Sequence, residues 1–360
     1  MTRAVVTIFL LLAAWSGFRD QASAAVVSYQ VTDLGTLGGT FSQGQDINAG
    51  GQVTGESYRT GDAPHHAFRW TPTIPNGDVG TMVDLGTLGG SFSVGYGINA
   101  IGHVSGQSDM TGDTAFRAFL YDGTMHDLGT LGGTSSSAAD INNADHIVGY
   151  SNLTGDATYH AFLYDGTMHD MGTLGGSPSS AAAINSSGQI VGLSYTTGNA
   201  AQHAFRYDGT MHDLGTLGGT TSSAAGINDS GQITGEATLV DGTSRAFLYD
   251  GTMHNLGTLG GASSAGLDIN SSGQVVGTSL TAGGATHGFV YTSSDGMLDL
   301  TSLVSGWVIE SAKGINDAGQ ITGLGVRNGE SHAVLLTPVP EPSTFVHLIL
   351  GVAVASLRRR

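Results

Sequence analysis

The fourteen residues YDGTMHDLGTLGGT stand at Tyr121–Thr134 and return letter for letter at Tyr207–Thr220, with near-copies starting at Tyr164 and Tyr249. An active site needs its residues once, whereas a stretch repeated at fixed spacing specifies a structural unit. The Asp-Leu-Gly-Thr-Leu-Gly-Gly element begins at Asp33, Asp84, Asp127, Asp170, Asp213 and Asn255, with a degraded copy at Asp299, at intervals of 51, 43, 43, 43, 42 and 44 residues. An Ile-Asn pair recurs at Asn48, Asn99, Asn142, Asn185, Asn228, Asn270 and Asn316. A (His/Arg)-Ala-Phe triplet begins at His66, Arg117, His160, His203 and Arg245, and becomes HGF at His287 and HAV at His332. Each element occurs seven times.

A period near 43 residues suits one supersecondary unit of a propeller or solenoid. In the unit from Ser179 to Leu217, SSAAAIN reads as a short strand, SSG as a turn and QIVGLSY as a second strand. TTGNAAQ reads as a loop, HAFRY as a third strand, DG as a type I′ hairpin turn and TMHDLGTL as a fourth strand, before GGT turns again. No segment holds a 3.6-residue apolar period over ten residues. Each unit is therefore expected to be four short antiparallel strands, which is a propeller blade. The first element after the N-terminal segment is a fourth strand alone, Tyr29–Leu37, and the last unit has three strands, Val308–Ile315, Gln320–Val326 and His332–Thr337. The expected fold is a seven-bladed β-propeller whose ring is closed by the N-terminal strand. A β-solenoid is the alternative; it would stack its strands in parallel.

The elements from about Tyr29 to Thr337 resemble the HAF repeat, a family of extracellular bacterial repeats defined by sequence, which brings no catalytic mechanism with it. The two ends read as addresses. Residues 1–24 have a basic start at Arg3, an apolar run Ala4–Trp15 and a small-x-small site ending at Ala24, as a signal peptide does. Residues 339–360 carry Pro340-Glu341-Pro342, a short apolar stretch Phe345–Leu357 and the terminal arginines Arg358, Arg359 and Arg360. This ordered set resembles the PEP-CTERM sorting signal of Gram-negative bacteria. The resemblance implies passage through the inner membrane, processing by an exosortase, and release or anchoring at the cell surface, often in biofilm-forming producers of exopolysaccharide. The body between, 25–338, holds the repeats.

Composition narrows the partners. The chain has 12 Lys+Arg against 29 Asp+Glu, and five of its arginines lie in the terminal segments, so the body is strongly acidic and nucleic acid is an unfavourable partner. Cysteine is absent, which excludes disulfides and thiolate chemistry. The 58 glycines follow no collagen period and mark turns and close packing.

Each recurrent residue has a structural reading. The Ile-Asn asparagines sit where a turn begins, with Gly three residues on in most units. A glycine lies mid-strand in every unit (Gly55, Gly106, Gly149, Gly192, Gly235, Gly277, Gly323), where it costs about 0.5–1 kcal/mol against Ala. It is expected to make room for a Phe of a facing blade. LGTLGG lacks the Lys-Ser/Thr and the helix of a phosphate loop. The triplet histidines, and His126, His169, His212 and His254, read as strand histidines bonded to carboxylates of the next strand. The loops between second and third strands vary most, and loop variation on a fixed scaffold is where binding resides. Asp62, Asp113, Asp156 and Asp241 in these loops are weak Ca2+ candidates, since hard oxygen ligands suit that ion, although Asp beside Gly is ordinary turn chemistry.

No catalytic residue and no cofactor is assigned from sequence. The functional expectation is a non-enzymatic surface or matrix protein contacting exopolysaccharide or surface proteins, with export and exosortase-type machinery as further partners. The alternative is a secreted propeller glycan hydrolase or lyase. Such an enzyme would show a pocket at one channel mouth that breaks the repeat symmetry and holds close carboxylates. The insertion Thr71–Thr81 and the last unit around Trp307 and Glu310 are the visible breaks.

Overall fold

The computed structural model describes residues 28–339. Ala24, Pro340, Glu341, Pro342 and Arg358–Arg360 lie outside the described residues, as do both proposed processing sites.

Each unit is a four-stranded antiparallel meander. In the unit followed above, Gly175–Ile184, Ile190–Thr196, Gln202–Tyr207 and Met211–Asp213 pair in sequence order. At the first turn the Asn185 side-chain oxygen accepts the N–H groups of Ser187 and Gln189, and Gly188 takes φ +80. Two details differ from expectation. The Asp-Gly turn is not type I′, because only Gly209 has positive φ; Asp208, Gly209 and Thr210 lie between the paired Tyr207 and Met211, and His212 Nε2 holds the Asp208 carboxylate at 2.8 Å. The fourth strand stops at Asp213 because that carboxylate accepts the Gly215 N–H at 2.8 Å and turns the chain toward the next unit. Gly218–Thr220 bend the chain ahead of the next strand, which starts at Ser222, as expected, whereas the equivalent Gly175 and Gly176 open their strand.

Five units form separate four-stranded sheets. The remaining eight strands form one mixed sheet. In it Ser28–Asp33 runs antiparallel to Glu330–Val339, from Ser28 opposite Val339 to Asp33 opposite Val334. The N-terminal strand thus lies where the missing fourth strand of the last unit was expected, although it ends at Asp33 and not at Leu37. One parallel bridge, Phe41 to Ser331, joins this group to the strands of the first unit. The ladders inside every unit are antiparallel, which a solenoid of parallel stacks does not provide. The fold is all-β and propeller-like.

The sheets meet through apolar seams. Phe205, fully buried, packs with Ala181, Ile184 and Ile190 of its own unit and with Val148 and Ala161 of the preceding one. Burying such a side chain contributes roughly 1.5–3 kcal/mol. A serine pins each seam. Ser179 Oγ donates to the Gly172 carbonyl and accepts the Ala161 N–H at 2.9 Å. The same Ser–Ala bond recurs at Ser42, Ser93, Ser136, Ser222 and Ser264. The junction before the last unit differs: Ile309 stands at the serine position, and Gly288 replaces the alanine and leaves room for it.

The mid-strand glycines correct the expectation placed on them. A Cβ on Gly192 would run into the Ser180 carbonyl oxygen of the neighbouring first strand and lie 3.0 Å from the Phe205 ring. Both belong to the same unit, and Phe205 is the direct cross-strand partner of Gly192. The first strand bulges between Ala181 and Ala183, and the bulge pushes its carbonyl toward the glycine.

Candidate functional site

The first strand of each unit ends at its Ile-Asn turn, and residues of all seven turns line one cavity, at the end called lower here. The loops between second and third strands lie at the opposite, upper mouth.

The lower mouth is held by asparagines. The Nδ2 of Asn48 donates to the backbone oxygen of Asn99, Asn99 to Asn142, Asn142 to Asn185, and Asn185 to Asn228, at 2.8–3.3 Å. Asn228 donates to Asn270, Asn270 to Asn316, and Asn316 back to Asn48 at 3.1 Å. Sequence reasoning found the local turn role of these residues but not this unit-to-unit chain. The insertion after Thr71 folds across the same mouth: the Asn76 N–H donates to the Gly50 carbonyl, and Gln320 Nε2 donates to the Asn76 oxygen at 3.1 Å.

Higher in the axis the repeat symmetry breaks. A cavity of about 160 Å3 is lined by Asp46, Asp140, Asp268, Tyr96, Lys313 and small side chains. Each Asp precedes Ile-Asn in its unit, and each bridges two units. Asp46 accepts the N–H groups of Ile47 and Ile98, Asp140 those of Ile141 and Ile184, and Asp268 those of Ile269 and Ile315. The units facing them carry Gly314, Gly97 and Gly226, whose missing side chains leave space for the aspartates. Burial, against the lowering effect of these N–H bonds, pushes Asp46 up to about 6 and Asp268 up to about 7. Asp140 is raised as well, by burial and then by the charge of Asp46. Lys313 is lowered by burial, and Tyr96 is raised by burial to about 12.

On the second and third strands of the first unit, outside the residues that line this cavity, the carboxylate of Glu56 meets His65 Nδ1 at 2.6 Å, with both side chains largely covered. Glu56 pairs in register with Gln43, two residues above the cavity residue Gln45. Its charge acts on both Tyr96 and Lys313. His65 stacks on Phe41 with centroids 5.5 Å apart and lies 5.7 Å from the Phe92 ring. Sequence reasoning missed all of these residues; the available signal was a departure from the repeat at one position in one unit.

The residues singled out from sequence are placed as follows. Asp62, Asp113 and Asp156 have positive φ, and each carboxylate accepts the N–H of Thr40, Ser91 or Thr134 at the start of its unit's first strand. Asp241 accepts Thr243 in a local turn. The four are not brought together, and among the described residues no group of three or more His, Asp or Glu is arranged to hold a metal. The triplet histidines pair with fourth-strand carboxylates, as in His160–Asp170 at 2.9 Å and His203–Asp213 at 2.8 Å. His126, His169, His212 and His254 instead bond the turn aspartate four residues back. Glu310 is exposed and Trp307 is buried beneath Arg327, 5.6 Å from the ring.

Residues 175–336 match the model of a family described as protein of unknown function (DUF3466). No curated protein matches the sequence. Among solved structures, the chain is similar to the acylaminoacyl peptidase of Pyrococcus horikoshii at 10% identity and TM-score 0.52, covering 88% of this chain and 55% of that one. This chain therefore spans about half the length of the peptidase, and the likeness is one of fold. A gluconolactonase from Xanthomonas campestris is matched at 12% identity and TM-score 0.39, over 87% of this chain and 95% of that one. A lectin from Burkholderia pseudomallei is matched at 7% identity and TM-score 0.42, over 88% and 99%.

The expectation of a non-enzymatic surface or matrix protein is corrected. It rested on chemistry-bearing residues recurring in every unit, whereas the Glu56–His65 contact is made in one unit, Ser244 standing in place of the histidine where Glu236 repeats the glutamate. Tyr96 and Lys313 line a cavity whose other units carry Gln, Ala or Leu there. The arrangement of sheets is shared with the structure named as an acylaminoacyl peptidase, a likeness of fold.

Proposed function

We propose that this chain is an exported, seven-bladed propeller enzyme that hydrolyses neutral glycans at its upper mouth. The observation that carries the reading is the Glu56–His65 contact at 2.6 Å, made in one unit only, with the charge of Glu56 acting on Tyr96 and Lys313 of the cavity that holds the buried carboxyls. Glycoside hydrolysis needs one carboxyl that keeps its proton and another that attacks or activates water. In this reading Glu56, oriented by His65, is the attacking or activating group. Asp46, raised by burial to about 6, is the acid. Each oxygen of Asp46 already accepts a backbone N–H, which leaves its proton for the cavity side. A hydrolase is favoured over a lyase, the other enzyme considered from sequence, because a lyase needs a uronate substrate, which an acidic chain repels.

The seven-bladed closed form is supported by the Ser28–Asp33 ladder with the last unit and by the Asn316 to Asn48 bond. Export and surface delivery are supported by the signal-like residues 1–24 and the PEP-CTERM-like residues 339–360, with HAF-type repeats between, and imply export and sorting machinery as partners.

The test is release of new reducing ends from neutral glucans, xylans and mannans by the purified protein, and by its Glu56→Gln variant. Release by the parent and at least hundredfold loss in the variant is the expected result. No release from any of them, or equal release by both proteins, overturns the reading.

A further inference from the structure

Aromatic side chains are unevenly distributed over the repeats. Register allows equivalent positions to be compared. The fourth residue counted from the first Gly of Gly-Gly is Phe41 and Phe92 in the first two units. It is Ser135, Pro178, Thr221 and Ser263 in the next four. The residue before the triplet is His65, Phe116 and Tyr159 in the first three units, then Gln202, Ser244, Thr286 and Ser331. In the second strand, Tyr58 and Tyr195 occupy the place held by Thr238, Leu280 and Val326 in the last three units.

The scaffold does not require these rings. Units five to seven build the same ladders with Ser, Thr, Leu and Val at the same places. The rings are half-buried and lie close to one another. Tyr58 meets His65 edge-on at 4.1 Å between centroids, and Tyr150 lies 5.0 Å from Tyr159. The rings thus form one close group around His65 in units one and two, Phe41, Tyr58 and Phe92, and another in unit three, Tyr150 and Tyr159, with Tyr195 in unit four at the place Tyr58 holds in unit one.

We infer that this one-sided aromatic band is a row of stacking subsites for a linear, neutral glycan lying across the upper rim of units one to four. The inference rests on the glycan-hydrolase reading and names the shape of its substrate. The C–H faces of pyranose rings are apolar and their edges are hydroxylated, which matches half-buried aromatic faces set in a polar rim. A band spread over four units takes several sugar rings in line, where a single pit would take one. The acidic body disfavours charged chains.

The experiment titrates the purified protein with cello-, xylo- and manno-oligosaccharides of two to eight residues by calorimetry, and assays cleavage of the same sugars. Affinity for one series is expected to rise with length beyond a disaccharide. Tyr159→Ala and Phe92→Ala should each weaken the longer sugars about 3- to 10-fold, the size of one aromatic stacking contact. Tyr159→Phe, which keeps the ring, should restore affinity, and Leu280→Ala on the opposite side should bind as the parent does. Affinity independent of length, or Tyr159→Ala and Phe92→Ala binding like the parent while folded by circular dichroism, overturns the subsites even if cleavage persists. Ring- and length-dependent binding without cleavage upholds the subsites and sinks the hydrolase. Neither binding nor cleavage of any series sinks both.

Discussion

His332 Nδ1 lies 2.9 Å from the carboxylate of Asp33, although the two residues are 299 positions apart. Equivalent pairs elsewhere are 10 to 18 positions apart, as in His160 with Asp170 and His66 with Asp84. The last unit thus borrows its fourth-strand carboxylate from the beginning of the chain, with the same geometry that the other units achieve locally.

The ladder is expected to matter more than this pair. Asp33 is 42% exposed, and exposed pairs contribute about 0–1 kcal/mol. Tyr29 is 5% exposed and sits in the apolar cluster of the last unit. Tyr29→Ala should cost about 3–5 kcal/mol, the range for emptying a buried aromatic site, and Asp33→Ala less than about 1. Denaturant unfolding of both variants checks the order; a larger loss for Asp33→Ala would contradict it.

Gly192→Ala should be destabilising although alanine normally suits a strand better than glycine. The added methyl meets a backbone carbonyl that cannot turn away without breaking the bulge. A cost of about 1–3 kcal/mol is expected, read as a lowered melting temperature. An unchanged melting temperature would refute the clash.

Asn185→Ala removes three acceptor contacts and one donor contact within its own turn and one donor contact to the next unit. The N–H and carbonyl groups left unpaired near a buried mouth should cost about 1–3 kcal/mol each if no water replaces the side chain. Hydrogen exchange should rise in the turn of the following unit as well as in its own. Faster exchange confined to residues near 185 would argue against a unit-to-unit role.

Stability should fall as pH rises from about 4 to about 7. Asp46 and Asp268 have folded values of about 6 and about 7, above the ordinary 3.8, so the folded protein binds more protons than the unfolded chain across this window. Under that imbalance the unfolding free energy decreases with increasing pH. The lowered surface aspartates, Asp122, Asp165, Asp208 and Asp250, each held first by a histidine bond, act in the opposite sense but below the ordinary carboxylate value. Urea midpoints at pH 4.5, 6 and 8 check the slope; a midpoint that climbs through this range would overturn it.

The fold was legible because its determinants are local and repeated. The turn asparagines, the strand alternation and the count of elements each announce one unit, and a fourth strand standing alone at Tyr29 points to its place beside His332–Thr337. The reason for Gly192 was not legible, since the obstacle is a carbonyl displaced by a bulge that depends on the pairing of two strands. The three axial aspartates left a readable trace that went unused. The residue before Ile-Asn is Asp in three units, and Gly97, Gly226 and Gly314 stand at the same position in units that adjoin them. The upper-mouth site was hidden for the opposite reason. Glu56, His65 and Lys313 occupy positions where the repeats vary, and one sequence alone does not say which variation is used.

Ser28 and Val339 face each other at the lower end of their ladder. Whatever precedes the one and follows the other leaves the molecule from a single spot on the rim, on the side away from Glu56. Anything that gripped the body at this pair of ends would hold it by its underside and leave the proposed glycan-binding rim uncovered.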